Sequence, residues 1–390
     1  MRRQVAASAD AEHFLQAMKI TSAAVHPYRL PLRASWQTAA GGFSEREGWL
    51  LRLDSASGAS GYGDCAPLPG GAAETPADAA SRLCAQARRV IGMQVIDALQ
   101  AIGPAPGDAP AARLGIEMAL LDLAAQAAGL SLATYLRTTQ QGFEAATAAA
   151  AVAVNAALGS IDRLADESVR SACNAGFRVL KLKVGVASID HEIEHLRRLA
   201  ALLPPGIQLR LDANRAWSST AAERFLRHCA ELPIEMLEEP LAEPSLERLL
   251  SLQAQTKIAI AIDESAELLD AEHLPGRPAV RRLVIKPTRC GGLLPAFLRA
   301  QRALAAGLDC VVTSSVESAC GVTAAAHLAA AIGNQLAHGL ATSQWLAADT
   351  GAPPLIVDGR LLLPLLATGL GFKPGKGIAF APIARRPLAE

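Results

Sequence analysis

Three short acidic runs each close an apolar stretch: Leu211-Asp212-Ala213-Asn214, Leu237-Glu238-Glu239-Pro240 and Ile262-Asp263-Glu264-Ser265. Lysines flank the series, with Lys181 and Lys183 before it and Lys286 after it. Carboxylates delivered one per segment can converge on a hard divalent cation, which takes oxygen ligands. With no Cys or His in the set, the donors favour Mg2+, or Mn2+ as a substitute, over zinc. Lysines on either side of such a centre could carry a proton to and from a small-molecule carboxylate substrate. Any of these charges would be costly to bury alone, so mutual pairing or a metal is expected.

Such convergence needs parallel segments that end at one level. From about Ala150 the chain alternates short apolar stretches with longer helical ones. Strands are predicted over 152–156, 179–184, 208–212, 235–238, 258–263, 283–286, 310–314 and 336–340, with helices between them such as 189–203, 220–231 and 295–306. Eight short strands with helical crossovers predict an α/β fold built on a parallel β/α barrel. A doubly wound open sheet is disfavoured because no Gly-rich phosphate fingerprint follows the first strand. Barrel chemistry sits at the C-terminal strand ends, where Lys181, Lys183, Asp212, Asn214, Glu238, Asp263 and Lys286 fall. The two-residue strand period puts Lys181 with Lys183, and Asp212 with Asn214, on one face.

The front third has another rhythm. Residues 20–53 are strand-like, interrupted by Ala39-Ala40-Gly41-Gly42, whereas the Gly and Pro density of 58–71 predicts a loop containing Gly61-Tyr62-Gly63-Asp64. Helices are expected over 76–91 and 111–136, the second with Leu114, Met118, Leu121 and Ala125 on one face. The expected organisation is an extension over 1–19 without an assigned role, an α+β N-terminal domain over 20–140 and a barrel over 141–359. Lys+Arg and Asp+Glu balance at 37 each and aromatics are 4%, which argues against nucleic acid or an anionic membrane as partner. Seven scattered cysteines without a C-x-x-C pair read as reduced thiols of a cytoplasmic protein. Arg2 and Arg3 lack a following apolar stretch and precede Asp10 and Glu12, which does not make a targeting peptide. Oligomeric state is not legible.

Two other motifs compete for attention. His191-Glu192-Ile193-Glu194-His195 fits H-E-x-x-H, but it falls early in an outer helix without a third ligand, and reads as a solvated charged face. Ser314-Ser315-Val316-Glu317-Ser318 leads into the apolar helix 319–331, whose start could receive a substrate carboxylate with help from Ser314 or Ser315.

The K-x-K pair, the acidic series and Lys286 together resemble the enolase superfamily, in the branch with K-x-K on the second barrel strand and Lys on the sixth. The resemblance covers essentially residues 20–385. Arg210-Leu211-Asp212-Ala213-Asn214-Arg215-Ala216-Trp217, Ala66-Pro67-Leu68-Pro69-Gly70, Ser314-Ser315-Val316-Glu317-Ser318 and His338-Gly339-Leu340, followed by Trp345, are similar to motifs of the o-succinylbenzoate synthase family. The resemblance implies a (β/α)7β TIM-like barrel with an α+β N-terminal capping domain, completed by the C-terminal segment 360–390. It implies Asp212, Glu238 and Asp263 as Mg2+ ligands and Lys183 as the base that removes the α proton and returns it to a departing hydroxyl. Lys286 would stabilise the enediolate and Lys181 would help lower the pKa of Lys183. Lys181, Asn214, Ser314 and Ser315 would contact substrate, under loops 34–47 and 66–71. The implied reaction is dehydration of 2-succinyl-6-hydroxy-2,4-cyclohexadiene-1-carboxylate in menaquinone or phylloquinone biosynthesis. Racemisation of N-succinylamino acids would use the same lysine pair. Dipeptide epimerases usually carry Asp-x-Asp near strand eight, where this chain has Ala341-Thr342-Ser343.

Overall fold

The computed structural model describes residues 18–38, 41–69, 74–103, 109–138, 148–268, 278–364 and 367–384. The expected extension lies almost wholly outside them, as does the junction at 139–147. At the front of the chain, β1 (Ile20–Thr38) and β2 (Gly41–Ser55) form a long antiparallel hairpin that β3 (Ser60–Cys65) extends. From the far end of the chain, β14 (Ala381–Pro382) adds to the outer side of β1.

The predicted loop at 58–71 thus contains a strand, Ser60–Cys65. Gly61 and Gly63 serve close approach instead of turning. The helix Pro110–Ala127 crosses β3 so tightly that a Cβ on Gly61 would overlap the Ala119 carbonyl oxygen, and one on Gly63 that of Gly115. The helix predicted over 111–136 is two helices, Pro110–Ala127 and Leu132–Thr138, separated by a turn at Gly129 with φ +66. The first is buried without interruption from Pro110 to Ala125, and not on one face alone. It is sandwiched between the cap sheet and the helices Pro287–Cys290 and Leu293–Ala305, and a helix covered on all sides carries no amphipathic stripe.

Seven parallel strands follow one another in sequence order: β5 (Ala156–Ser160), β6 (Val179–Lys183), β7 (Gln208–Asp212), β8 (Ile234–Glu238), β9 (Ala259–Ile262), β10 (Arg282–Ile285) and β11 (Asp309–Val312). Crossover helices Ile189–Leu202, Ser219–Cys229 and Leu293–Ala305 fall within two residues of their predicted bounds. The eighth predicted strand is reduced to two parallel bridges, Val154 to His338 and Thr313 to Gly339, which join the two edges of the curled sheet. The first begins later than predicted: β4 (Ala151–Ala153) pairs antiparallel with β13 (Arg360–Leu362), and the ladder to β6 starts at Ala156.

Inside the curl, Glu235 accepts from Arg210 at 2.6 Å and from Arg282 at 2.6 Å, and Arg210 also reaches Asn155 at 3.1 Å. Met236, Ala261 and Val284 form a small apolar cluster, each two residues before a charged strand end. That layer separates the inner ion cluster from the mouth. The close crossing at β3 gives a test of packing: Gly63→Ala should cost about 1–3 kcal/mol of stability in denaturant unfolding. An unchanged midpoint would contradict the described contact.

Candidate active site

Register brings the charged residues to one level. Lys183 pairs with Asp212 across β6 and β7, and Asp212 with Glu238 across β7 and β8. Asp263 directly follows β9 and Lys286 directly follows β10. Between the K-x-K lysines, Leu182 is fully buried, while the lysines themselves are partly open to a cavity of about 880 Å3. Lys181, Lys183, Asp212, Asn214, Lys286, Ser314 and Ser315 all line it. Glu238 and Asp263 lie beneath, each covered by an ammonium group. Lys181 Nζ is 2.6 Å from Glu238 Oε2 and 3.0 Å from Asp212 Oδ2, and Lys286 is ion-paired to Asp263. Lys183 Nζ donates to Asn214 Oδ1 at 2.9 Å, and Asn214 Nδ2 donates to Asp212 Oδ1 at 2.9 Å.

These contacts split the lysines electrostatically. Burial works against the charge of Lys181 and Lys286, but the carboxylates around each outweigh it and raise both pKa values. Lys183 goes the other way: burial lowers its pKa, Asp212 only partly offsets this, and the neighbouring Lys181 lowers it further. Glu238 is pushed up to about 8 by burial and by the charges of Asp212 and Asp263. Three carboxylates that repel one another, all with oxygen donors, suit a hard divalent cation. Among the described residues no three His, Cys, Asp or Glu side chains converge closely enough to chelate an ion as placed. The Lys181 and Lys286 ammonium groups are paired with the carboxylates instead.

The surroundings contain residues that sequence reasoning passed over. Arg46 is fully buried and donates to three carbonyls, Val316 at 3.1 Å, Pro67 at 2.8 Å and Ala66 at 2.9 Å. It thereby ties the loop bearing Leu68, a cavity residue, to the turn after β11. Glu317 accepts from Thr288 Oγ1 and the Ser315 N–H, both at 2.6 Å, and from the Ser314 hydroxyl. The Ser314 hydroxyl also accepts from Val316 N at 2.9 Å, so it is occupied within its own turn. The buried Ser315 hydroxyl has no protein partner among the described residues. Asp64 takes hydrogen bonds from Tyr28 at 2.6 Å and from Ser318, and burial pushes its pKa up to about 6. Trp36 and Trp345, at 4.9 Å and edge to face, wall the cavity between cap hairpin and barrel. Asn214, Arg215, Glu239 and Val316 have positive φ, and all four sit at barrel strand exits, where backbone strain commonly gathers around function.

Two expectations need correction. Glu192 of the H-E-x-x-H motif is not solvated: it is buried and accepts the N–H groups of Gly185, Val186 and Ala187 at 2.9–3.1 Å. It fixes the loop after β6, while His191 stays exposed. The start of helix Ala319–Ile332 is also not open to a substrate anion as expected. The Ala319 N–H donates to Asp349 at 2.7 Å and the Ser318 N–H to Asp64 at 3.1 Å.

Residues 163–377 match the family described as enolase C-terminal domain-like, and residues 20–123 match the MenC N-terminal domain. The chain belongs to the enolase superfamily. Its relatives in that superfamily include the hydrophobic dipeptide epimerase of Enterococcus faecalis, 30% identical over 80% of this chain and 88% of the relative. The o-succinylbenzoate synthase of Klebsiella pneumoniae is 31% identical over 84% of this chain and 93% of its own. Among solved structures, a dipeptide epimerase from Methylococcus capsulatus, complexed with Mg and the dipeptide L-Arg-D-Lys, superposes with a TM-score of 0.79 at 28% identity. It covers 90% of this chain and 99% of that one. Superfamily members thus bind Mg2+ and act on small molecules, and the fold is a capping domain on a curled parallel sheet.

The Arg46 contacts give a second test. Arg46→Met leaves three buried carbonyls without their donor, which should lower stability by about 3 kcal/mol and speed amide exchange at Ala66 and Leu68. Unchanged exchange there would show that Arg46 does not hold the loop.

Proposed function

We propose that the chain is an o-succinylbenzoate synthase, dehydrating 2-succinyl-6-hydroxy-2,4-cyclohexadiene-1-carboxylate to o-succinylbenzoate in menaquinone or phylloquinone biosynthesis. The observation that carries the chemistry is the opposition of Lys183 and Lys286, four strands apart on the walls of one cavity, with their pKa values driven in opposite directions. The match of residues 20–123 to the MenC N-terminal domain supports the substrate. The cavity wall at Ala341 and Thr342, where a dipeptide epimerase would offer carboxylates to an α-ammonium group, supports it further.

On this reading Lys183, its pKa lowered by burial and by the charge of Lys181, removes the proton α to the substrate carboxylate. Lys286 stays an ammonium and faces the charge that develops on the enediolate. Lys183 then returns its proton to the departing hydroxyl, which leaves as water. Asn214 holds the Lys183 amine in line through its 2.9 Å contact, and Lys181 keeps Asp212 and Glu238 from repelling each other. Asp212, Glu238 and Asp263 would hold Mg2+, or Mn2+ in its place, which when bound supplies Lewis-acid stabilisation of the carboxylate charge. Trp36, Leu68 and Trp345 give the variable part of the substrate an apolar wall. Seven free cysteines fit a reducing compartment, and we place the protein in the cytoplasm. No helix among the described residues is long and apolar enough to cross a membrane.

With Mg2+ and the cyclohexadiene acid, aromatic absorbance should rise. Exchange of the α-hydrogen of an N-succinylamino acid with deuterated water, and no aromatic product, would replace the synthase with a racemase. Lys183→Ala should reduce turnover by roughly 10²–10⁴-fold, and near-normal turnover would remove it as the base. Because only the neutral amine accepts a proton, kcat/KM should rise with pH through the Lys183 pKa, which lies below the ordinary lysine range. Lys181→Met removes the neighbouring cation and should move that rising limb to higher pH. A limb that stays in place would remove Lys181 as a cause.

A further inference from the structure

We propose that Glu239 is a positioning residue that sets the spacing of Asp212, Glu238 and Asp263, and with it the affinity of the site for a divalent cation. The inference rests on those three carboxylates being the Mg2+ ligands. Glu239 follows Glu238 directly, yet it is not available as a ligand. It is buried, and Oε1 accepts the N–H groups of Asp263 and Ser265 at 2.7 Å each while Oε2 accepts the Ser265 hydroxyl at 2.7 Å. Its backbone makes the remaining links. The Glu239 N–H donates to Ala261 O at 2.9 Å, and its carbonyl accepts from Arg215 N at 2.7 Å. One residue thus bonds to the exits of β7, β8 and β9, the three strands that deliver the three carboxylates. It does so with φ +46, a backbone region uncommon outside glycine, and Asn214 and Arg215 across from it are left-handed too.

The carboxylates repel one another, so their separation has to be imposed from outside the set. Mg2+ demands near-ideal octahedral geometry with ligands at about 2.0–2.1 Å, so small shifts of one strand exit degrade binding. Glu239 supplies that restraint through hydrogen bonds from two backbone N–H groups and the Ser265 hydroxyl, a role that depends on where its oxygens lie more than on its charge.

The test is calorimetric titration of MgCl2 into the full chain and its variants, with no substrate present. Glu239→Gln keeps an acceptor for both N–H groups and should bind within about threefold of the unsubstituted protein, whereas Glu239→Asp keeps the charge but withdraws it by one methylene and should lose about 10–100-fold. Ser265→Ala, which removes one arm alone and leaves the backbone acceptors in place, should lose about threefold. It decides the matter if Glu239→Asp does not fold. Tight binding by a folded Glu239→Asp, equal losses in the Gln and Asp variants, or an unaffected Ser265→Ala would each overturn the proposal. A failure of the unsubstituted chain to bind Mg2+ would instead overturn the ligand assignment, and this inference along with it.

Discussion

Three carboxylates and three lysine amines meet at the mouth of one barrel, largely shielded from water, and the pairing between them governs everything around it. Lys181 lies between Asp212 and Glu238, and Lys286 is paired to Asp263. Desolvated charges of this kind are tolerated only when each is answered by a partner. Lys183 is the one lysine of the three whose pKa is depressed. Its neighbours take most of the available negative charge, and Lys181 adds a cation beside it. A base and a persistent cation can therefore coexist in one cavity, although both are lysines.

The rest of the molecule keeps this arrangement in register and covered. Parallel pairing brings Lys183, Asp212 and Glu238 level, and the apolar layer of Met236, Ala261 and Val284 separates them from the Arg210–Glu235–Arg282 cluster below. The cap is joined to the barrel by buried polar contacts as well as by a shared apolar core. Arg46 reaches across to Val316 and Asp64 reaches Ser318, while Glu117 accepts the N–H groups of Leu293 and Leu294 just beyond Lys286. The Arg46 and Asp64 contacts end on the turn whose Ser314 and Ser315 line the cavity, so docking of the cap and shaping of the site are linked there.

Much of this was legible in the sequence because it is periodic or local. The strand–helix alternation located six of the barrel strands within two residues, and the parity of Lys181 with Lys183 and of Asp212 with Asn214 matches their common place on the cavity wall. What escaped notice depends on partners distant in sequence. Gly61 and Gly63 look like turn residues until a helix more than fifty residues later crosses them. Arg46 stands in an ordinary strand, and nothing nearby marks its three carbonyl partners. Glu192 was visible in a motif, but its meaning lay in the loop before it and not in the flanking histidines. Glu239 could not be told from Glu238 by parity, since a positive φ at the strand exit breaks the alternation on which parity rests.

On the proposed reading, Asp212, Glu238 and Asp263 form one cation site that Lys181 and Lys286 border. A crystal structure with Mn2+ read by its anomalous signal tests it most directly. One strong peak is expected, bonded to an oxygen of each carboxylate, with the Lys181 and Lys286 ammonium groups drawn back from them and Glu239 still on Asp263 and Ser265. A peak elsewhere, or one in which Glu239 replaces any of the three, would contradict it.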